Sequence, residues 1–196
     1  ALPGDYTARL AIERDGELTE IGASRTFRVK PLNASGEISD DRRALQAFQL
    51  KVVDVQRATQ GSLRSLNEMK NRLAHLREAI TRTPATSRED EDRLSTIQQR
   101  IADLSVDFNG DSTISSRNEA TPLGIASRVS SIYWNSMYSQ SDPGGNARKS
   151  YEIAVGELAE ALSELQAVND QLVALEVSLE GSGAPWTPGR IPKLPD

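Results

Sequence analysis

The chain has little of the residue types from which most catalytic and metal sites are built. Its 196 residues include no cysteine and a single histidine, His75. Without cysteine there are no disulfides, zinc–thiolate sites or thiol catalysis, and serine triads or histidine-based metal sites need more than one histidine. Aromatic residues make up only 5% of the chain. That share suits helices packed through Leu, Ala and Val rather than an aromatic-rich β-sandwich.

Net charge and hydropathy argue against nucleic-acid binding and against a membrane span. The formal charge of −5 argues against a nucleic-acid partner, because such binding usually needs a basic face. There is no run of about 18 apolar residues, so the sequence predicts no membrane span. The chain opens at Ala1 with no initiator methionine and no signal-peptide pattern. We therefore expect a piece of a longer protein.

A long heptad pattern is the strongest positive signal. Its steps of three and four keep one side of an α-helix against a partner over the whole length. The pattern comprises Leu45, Phe48, Val52, Val55, Thr59, Ser62, Leu66, Met69, Leu73, Leu76 and Ile80. We expect an N-cap at Ser39 and a helix running to about Arg82. Midway, Thr59, Gly61 and Ser62 weaken the pattern, and a closely packed neighbouring helix explains them better than a hinge does.

The first 32 residues have the pattern of a β-hairpin. Apolar and polar residues alternate on both sides of Asp15-Gly16, which favours a two-residue turn. The predicted pairs are Ile12 with Thr19, Leu10 with Ile21, and Ala8 with Ala23. One face comes out apolar, and Gly22 to Ser24 should bulge or break the return strand. Because a lone hairpin is marginal in water, we interpret residues 1–32 as the last two strands of a truncated Ig-like β-sandwich.

Three further amphipathic segments follow. The first begins at Thr86, with Glu89 at capping-box spacing, and ends near 109–110. The second opens at 121–122 and is broken by the Pro-Gly-Gly sequence at 143–145. The third runs from about 147 to 180 and is ended by Gly181, before a proline-rich tail over 182–196. Their apolar stripes are Leu94, Ile97, Ile101, Leu104 and Phe108; Leu123, Ile125, Val129, Ile132, Tyr133 and Met137; and Tyr151, Val155, Leu158, Leu162, Leu165, Val168, Leu172, Leu175 and Leu179.

Helix lengths and charges indicate how these segments pack. Laid end to end, the second and third helices would match the first. We therefore predict a mainly α fold, an antiparallel bundle over 38–181 of three long helices with an interrupted middle one; four helices are the alternative. Residues 39–82 hold nine Lys/Arg against five Asp/Glu, whereas residues 151–180 hold seven Asp/Glu and no Lys or Arg. This complementarity predicts that the first and last helices are neighbours.

Several segments together resemble a known family. They are Gly4-Asp5-Tyr6-Thr7-Ala8-Arg9-Leu10, Asp15-Gly16, Phe27-Arg28-Val29-Lys30-Pro31-Leu32, the long Leu/Ala-rich helices, and Pro188-Gly189-Arg190-Ile191-Pro192. In this order they resemble the C-terminal region of bacterial sortilin/Vps10-like, BNR-repeat propeller proteins, which are often labelled glycosyl hydrolases. The resemblance implies a large β-propeller and an immunoglobulin-like segment upstream, in an exported, extracytoplasmic protein. No propeller blade occurs here, so no catalytic residue is transferred.

Histidine and paired acids are the first candidate chemical groups. His75 has no acidic or nucleophilic residue at the sequence spacing of a catalytic motif, so we expect it at the surface. Two carboxylates held across a cleft could hydrolyse glycosides, but the acids of this chain fall on predicted exposed helix faces. Solvated helix surfaces are the better interpretation.

The segment Asp107–Asp111 has the first oxygen spacings of a calcium loop. That loop needs Gly at the sixth place and Glu at the twelfth, where this chain has Ser112 and Asn118. A helix end followed by a turn is therefore favoured.

Tyr133, Trp134 and Tyr138 form the only aromatic cluster in the sequence. Stacking on a sugar or peptide is conceivable there, although helical spacing more often means packing. Trp134 is the residue to follow, because Tyr133 already belongs to the apolar stripe.

These observations favour a noncatalytic structural or interaction domain at the C-terminus of a larger exported propeller protein. We expect no catalytic, metal-binding or cofactor-binding residues. The expected partners are the upstream propeller and sandwich domains, with a further protein partner or a homodimer as options. The alternative is an accessory, substrate-facing domain of a glycan- or peptide-acting hydrolase whose active site lies upstream.

Overall fold

A computed structural model describes residues 2–30, 40–139 and 143–192. The chain divides into two compact units, Ala1–Phe48 with Ser139–Pro143, and Gln49–Tyr138 with Gly144–Asp196. The described residues form two strands and then five helices, which confirms a mainly α fold preceded by a β-hairpin. None of these helices is both long and apolar enough to cross a bilayer. The predicted domain limits of 1–32, 38–181 and 182–196 stay predictions.

The hairpin consists of β1 (Gly4–Arg14) and β2 (Glu17–Val29), paired antiparallel. Its turn residues Asp15 and Gly16 have φ of 53° and 83°, and positive φ at both central residues is what a type I′ turn requires. The predicted pairs of Ile12 with Thr19 and Leu10 with Ile21 are confirmed.

The third predicted strand pair is wrong. Ala8 pairs with Arg25 rather than with Ala23, because the register shifts between Ala8 and Leu10. The extra residues belong to β2, where Gly22 has a φ of 74°. The expected bulge therefore exists, and it displaces the pairing beyond it.

The helices are α1 (Asp40–Arg82), α2 (Arg88–Asn109), α3 (Ser112–Ser115), α4 (Ile125–Tyr138) and α5 (Gly145–Gly181). The predicted ends at Arg82 and Asn109 are confirmed, and α5 is longer than the predicted 147–180 by two residues at its start and one at its end. Two predictions are wrong: the loop after α2 contains the short helix α3, and α4 begins at Ile125 rather than at 121–122. The predicted N-cap Ser39 lies outside the described residues.

The heptad pattern of α1 faces the protein interior. Of its eleven residues, all are buried except Val55, which is half-buried. The hydroxyls of Thr59 and Ser62 donate to the carbonyls of Val55 and Ala58, each at 2.9 Å. Because these hydroxyls are satisfied within the helix, the small residues can be buried without interrupting α1.

The second unit contains the predicted three-helix bundle with an interrupted middle helix. α1 meets α2 through the hydrogen bond from Arg77 to Gln98, and it meets α4 through the bond from Gln49 Nε2 to the Ser136 carbonyl, 2.8 Å. α2 and α4 pack against each other and both pack along α5. α2 and α4 together therefore take the place of the middle helix of the bundle.

α1 and α5 are neighbours, as their charges predict. The Nε and Nη2 atoms of Arg72 each lie 2.9 Å from the Glu176 carboxylate, and Nη1 lies 2.9 Å from Asn169 Oδ1. Glu176 is only 2% exposed. A buried carboxylate needs such a charged and hydrogen-bonded partner, so this pair fixes how α5 faces α1.

The buried stripe of α5 differs from the predicted stripe at three places, one of which is Tyr151, a half-buried residue. Val155 and Leu162 are exposed, whereas the preceding alanines, Ala154 and Ala161, are buried. Because alanine side chains are small, α2 and α4 can pack closely on α5 where Ala154 and Ala161 lie. The buried side of α5 therefore contains these alanines instead of Val155 and Leu162.

α5 ends in a Schellman motif. Gly183 has a φ of 77° and donates to the Glu180 carbonyl at 3.1 Å, and Ala184 donates to the Leu179 carbonyl at 2.9 Å. Ala184 is buried, which is the apolar contact that usually accompanies this motif.

The tail then turns back on α5. The Arg190 amide donates to the Thr187 carbonyl at 3.1 Å across Pro188-Gly189, and Gly189 has a φ of 89°. Pro followed by a positive-φ Gly is the residue order of a type II turn. It aims the Arg190 guanidinium at the Glu180 carboxylate, with distances of 2.5 and 2.8 Å.

The N-terminus of α2 is capped one residue later than predicted, by Ser87 and Asp90. Ser87 Oγ accepts from the Asp90 amide, and the Asp90 carboxylate accepts from the Ser87 amide, both at 3.2 Å. Asp90 also accepts from Ser178 Oγ of α5 at 2.9 Å. Burial acts to raise the pKa of Asp90, but the hydrogen bonds from Ser87 and Ser178 outweigh it, so the pKa lies below its ordinary value.

This lowered pKa predicts a pH dependence of stability. Because the folded pKa of Asp90 lies below the unfolded one, ionised Asp90 stabilises the fold at neutral pH, and that stability is lost as the pH falls through the folded pKa. Asp90→Asn should lower the free energy of unfolding at pH 7 by about 2 kcal/mol. It should also reduce the loss of stability between pH 7 and about pH 3.

Urea unfolding at both pH values measures the two effects. The control is Asp92→Asn, which removes an exposed acid from the same helix. Equal behaviour of the two variants would contradict the role given to Asp90.

Candidate functional site

The two faces of the hairpin differ in character, although Arg25 lies opposite Ala8 on the mainly apolar face and the exposed Leu18 lies opposite Glu13 on the mainly polar face. Tyr6, Leu10 and Ile12 lie on one side of β1, and their partners on β2 include Phe27 and Ile21. We call these five residues the apolar hairpin face. Leu10 is 66% exposed and Phe27 51%, and both isoleucines are also exposed. The rings of Tyr6 and Phe27 stack with centroids 6.0 Å apart, which joins the two strands at this end, and the Ala8–Arg25 pair lies between them and the Leu10–Ile21 pair.

The opposite face of the hairpin carries charged pairs. Arg9 Nη1 lies 3.1 Å from Glu20 Oε1, and Arg28 Nε lies 3.7 Å from Asp5 Oδ1. All four side chains are exposed, so each pair contributes at most about 1 kcal/mol. The hairpin is thus amphipathic, with a polar face suited to water and an apolar face that is also open to it.

An apolar face of this kind is a packing surface. A two-stranded hairpin is marginal in water and becomes stable when further strands or a helix cover its apolar side. Contiguous exposed apolar residues are typical of sites where another polypeptide binds. The alternation that the sequence predicts is confirmed, and the apolar hairpin face is the strongest candidate for a functional surface.

A cleft of about 400 Å³ lies in the second unit, where the end of α2, residues 121–125 and α5 meet. Exposed Val106 and Leu123 form part of its wall. Five carboxylates also line it: Asp107, Asp111, Glu157, Glu160 and Glu164. The sequence pattern gave no sign of this grouping, because these acids come from three segments that the loop after α2 brings together.

Arginines neutralise two of the cleft carboxylates. Arg100 binds Glu164 at 2.6 and 2.8 Å, and Arg128 binds Glu157 at 3.0 and 3.3 Å. The hydrogen bond from Arg100 lowers the pKa of Glu164. Burial, and then neighbouring carboxylates, raise the pKa of Asp107. These paired glutamates hold α2 and α4 to α5, so an ionic, structural role accounts for them.

Gly124 sits at the junction of α2 and α4. A Cβ at this position would lie 2.4 Å from the Gly110 nitrogen and 2.6 Å from the Asn109 carbonyl carbon. Both are backbone atoms that cannot move aside without shifting the helix end. Glycine therefore lets the start of α4 abut the end of α2. No motif marks Gly124 in the sequence.

This close contact predicts that Gly124→Ala destabilises the second unit by about 3 kcal/mol, through overpacking against backbone. The matched control is Gly156→Ala in α5, where an added Cβ meets no atom within 4 Å. That change should be neutral or stabilise by about 0.5–1 kcal/mol, because alanine favours helix. Chemical denaturation measures both, and an equal effect of the two substitutions would refute the tight junction.

The candidate calcium loop has another structural role. Asp111 Oδ1 accepts from the Thr113 amide at 2.8 Å, from its hydroxyl at 2.6 Å and from the Ile114 amide at 3.3 Å. The side chain thus caps α3. In the described part of the chain, no group of three or more His, Asp or Glu residues is placed to hold a metal ion.

The aromatic cluster is open to solvent. Trp134 is 54% and Tyr138 80% exposed, and their rings stack at a centroid distance of 6.1 Å. Tyr133 is half-buried and contacts Trp134 edge-on at 5.2 Å. The cluster is therefore not simply part of the core.

His75 is exposed, as predicted. It lines a small recess together with Arg82 of α1 and with Pro185 and Trp186 of the tail. Glu78, Ala79, Thr187 and Pro188 complete the lining of the recess.

Comparisons of this chain with protein-family models, with curated proteins and with solved structures found no match. Its function is therefore inferred from its own residues and their geometry.

Proposed function

We propose that this chain is a noncatalytic structural and interaction domain whose apolar hairpin face packs against another part of a larger polypeptide. The observation that carries the proposal is the contrast in burial. The helices of the second unit bury their apolar stripes, whereas Leu10 and Phe27 remain at least half exposed. Burying such side chains is worth about 1.5–3 kcal/mol each, so covering this face is strongly favoured.

The larger polypeptide is proposed to be an exported, extracytoplasmic propeller protein. Support comes from the sequence resemblance alone, carried by the segments at 4–10, 15–16, 27–32 and 188–192. In this proposal the hairpin supplies the last two strands of an immunoglobulin-like sandwich. The partners of the apolar hairpin face are then the upstream sandwich and propeller domains.

The bundle serves this proposal as a rigid spacer. Its helices are fixed to each other by charged side-chain bonds such as Arg72 with Glu176 and Arg100 with Glu164. The same arginines engage acids that would otherwise be candidates for chemistry. These contacts favour a mechanical over a catalytic role.

Hydrogen–deuterium exchange tests the proposal. In residues 1–196 alone, the amides of β1 and β2 should exchange far faster than those of α1 and α5, because exposed hairpins open readily. When the residues encoded upstream of Ala1 are included, the hairpin amides should become protected at least tenfold. Leu10→Lys should abolish that gain, because it charges the apolar hairpin face.

Thr7→Lys, on the polar face of the same strand, is the matched control and should keep the protection. Hairpin amides that stay unprotected in the longer protein would contradict the proposal. Turnover of a glycan or peptide by residues 1–196 alone would contradict it as well.

A second candidate, the accessory surface of a glycan- or peptide-acting hydrolase, is favoured by the exposed stack of Trp134 and Tyr138. Aromatic rings open to water can stack on sugar rings. In a Trp186→Phe background, Trp134 is the only tryptophan. If this candidate is right, oligosaccharides should shift its fluorescence, and Tyr138→Ala should weaken binding about tenfold. Unchanged fluorescence at millimolar oligosaccharide would eliminate it.

A further inference from the structure

We propose that the outer edge of β1 receives a third strand whose side chains present positive, negative and positive charge to Asp5, Arg9 and Glu13. The inference rests on the proposed function, and it names the edge of the hairpin that is completed and the chemistry of the strand that completes it.

β1 is the better of the two free edges. The sheet of the described residues contains only β1 and β2, so each strand has one open side. β2 is interrupted by the bulge at Gly22, and bulges hinder the addition of a neighbouring strand. β1 runs over eleven residues without an inserted residue. A long regular edge is the usual template for strand addition.

The turn indicates which backbone groups of β1 are available. Arg14 and Glu17 close the two-residue loop and form a hydrogen-bonded pair, and hydrogen-bonded and non-hydrogen-bonded pairs alternate along an antiparallel ladder. Leu10 and Ile12 therefore bond toward β2. Ala11 and Glu13 direct their amides and carbonyls outward, where an added strand can pair with them.

The charges of β1 disfavour a second copy of this chain as that strand. Asp5, Arg9 and Glu13 recur every four residues on the polar face. If two copies of β1 paired antiparallel with full overlap, Arg9 would face Arg9 and Asp5 would face Glu13. Parallel pairing in register also sets like charges opposite each other. Such pairs are destabilising, and a register shifted by four residues, which would pair Arg9 with Glu13, overlaps only residues 8–14; a strand of different sequence therefore completes the full length of the edge better.

The same charges define the complementary strand. Its polar face needs Lys or Arg opposite Asp5 and Glu13, and Asp or Glu opposite Arg9. The order positive, negative, positive reads the same in both chain directions, so parallel and antiparallel strands both satisfy it. Its alternate residues should be apolar, because they lie beside Tyr6, Leu10 and Ile12 and extend the apolar hairpin face.

Two synthetic peptides of the length of β1 test the inference. Both have the same alternating Val/Thr framework; one carries Lys-Glu-Lys at every fourth position, and the other carries Glu-Lys-Glu. Fluorescence anisotropy against residues 1–196 should show that the Lys-Glu-Lys peptide binds about tenfold more tightly at low salt. The difference should shrink in 1 M NaCl, which screens exposed charges.

Backbone variants assign the edge. Ala11→Pro removes the outward amide that an added strand needs, whereas Ala11→Val keeps it and favours strand structure. The proline variant should lose at least tenfold in affinity, and the valine variant should bind as the parent does. Ring-current shifts from the stacked Tyr6 and Phe27 show whether the hairpin persists in both.

Equal affinity of the two peptides, no binding of either, or equal binding by the two Ala11 variants would each overturn the inference. A dimer of residues 1–196 in light scattering would overturn it too, because the second copy would then occupy the edge. If any of these occurs while upstream residues still protect the hairpin from exchange, the proposed function stands and only the strand assignment fails.

Discussion

The second unit depends on one constraint of length. In this unit α1 contributes the 34 residues from Gln49 to Arg82 and α5 has 37, whereas α2 has 22 and α4 has 14. Two long helices that bury apolar stripes need a third helical surface of similar length, and neither shorter helix supplies it alone. The chain meets this need by abutting α4 on the end of α2. Gly124 makes that junction possible, because its backbone contacts α2 more closely than any side chain would allow.

Polar contacts then fix how the helices face each other. Apolar stripes alone tolerate sliding and rotation, since many leucine contacts are nearly interchangeable. A buried carboxylate such as Glu176 tolerates neither, because it needs Arg72 at hydrogen-bond distance. Asp90 does the same for α2 and α5 through Ser178. Burial supplies most of the stability, and these few bonds select one packing among several.

The sequence predicted what depends on periodicity and missed what depends on neighbours. The heptads located the long helices, and their relative lengths indicated the interrupted middle helix. The cap of α2 was placed one residue early because Thr86 and Ser87 are both good N-caps. In α5, an alanine at 154 beside a valine gave no reason to prefer the smaller residue. The cleft could not be predicted, because residues far apart in sequence form it only after the loop is folded.

Glu176 couples the folding of α1 to the folding of the tail. Besides Arg72 in α1, Arg190 in the tail approaches the same carboxylate, at 4.0 Å. The two cations near Glu176 thus come from α1, early in the sequence of the unit, and from the tail, late in it. A partly folded form that keeps Glu176 buried but lacks either cation would leave a desolvated anion undercompensated, at a cost of several kcal/mol. Such intermediates are penalised, so early and late segments are expected to fold and unfold cooperatively.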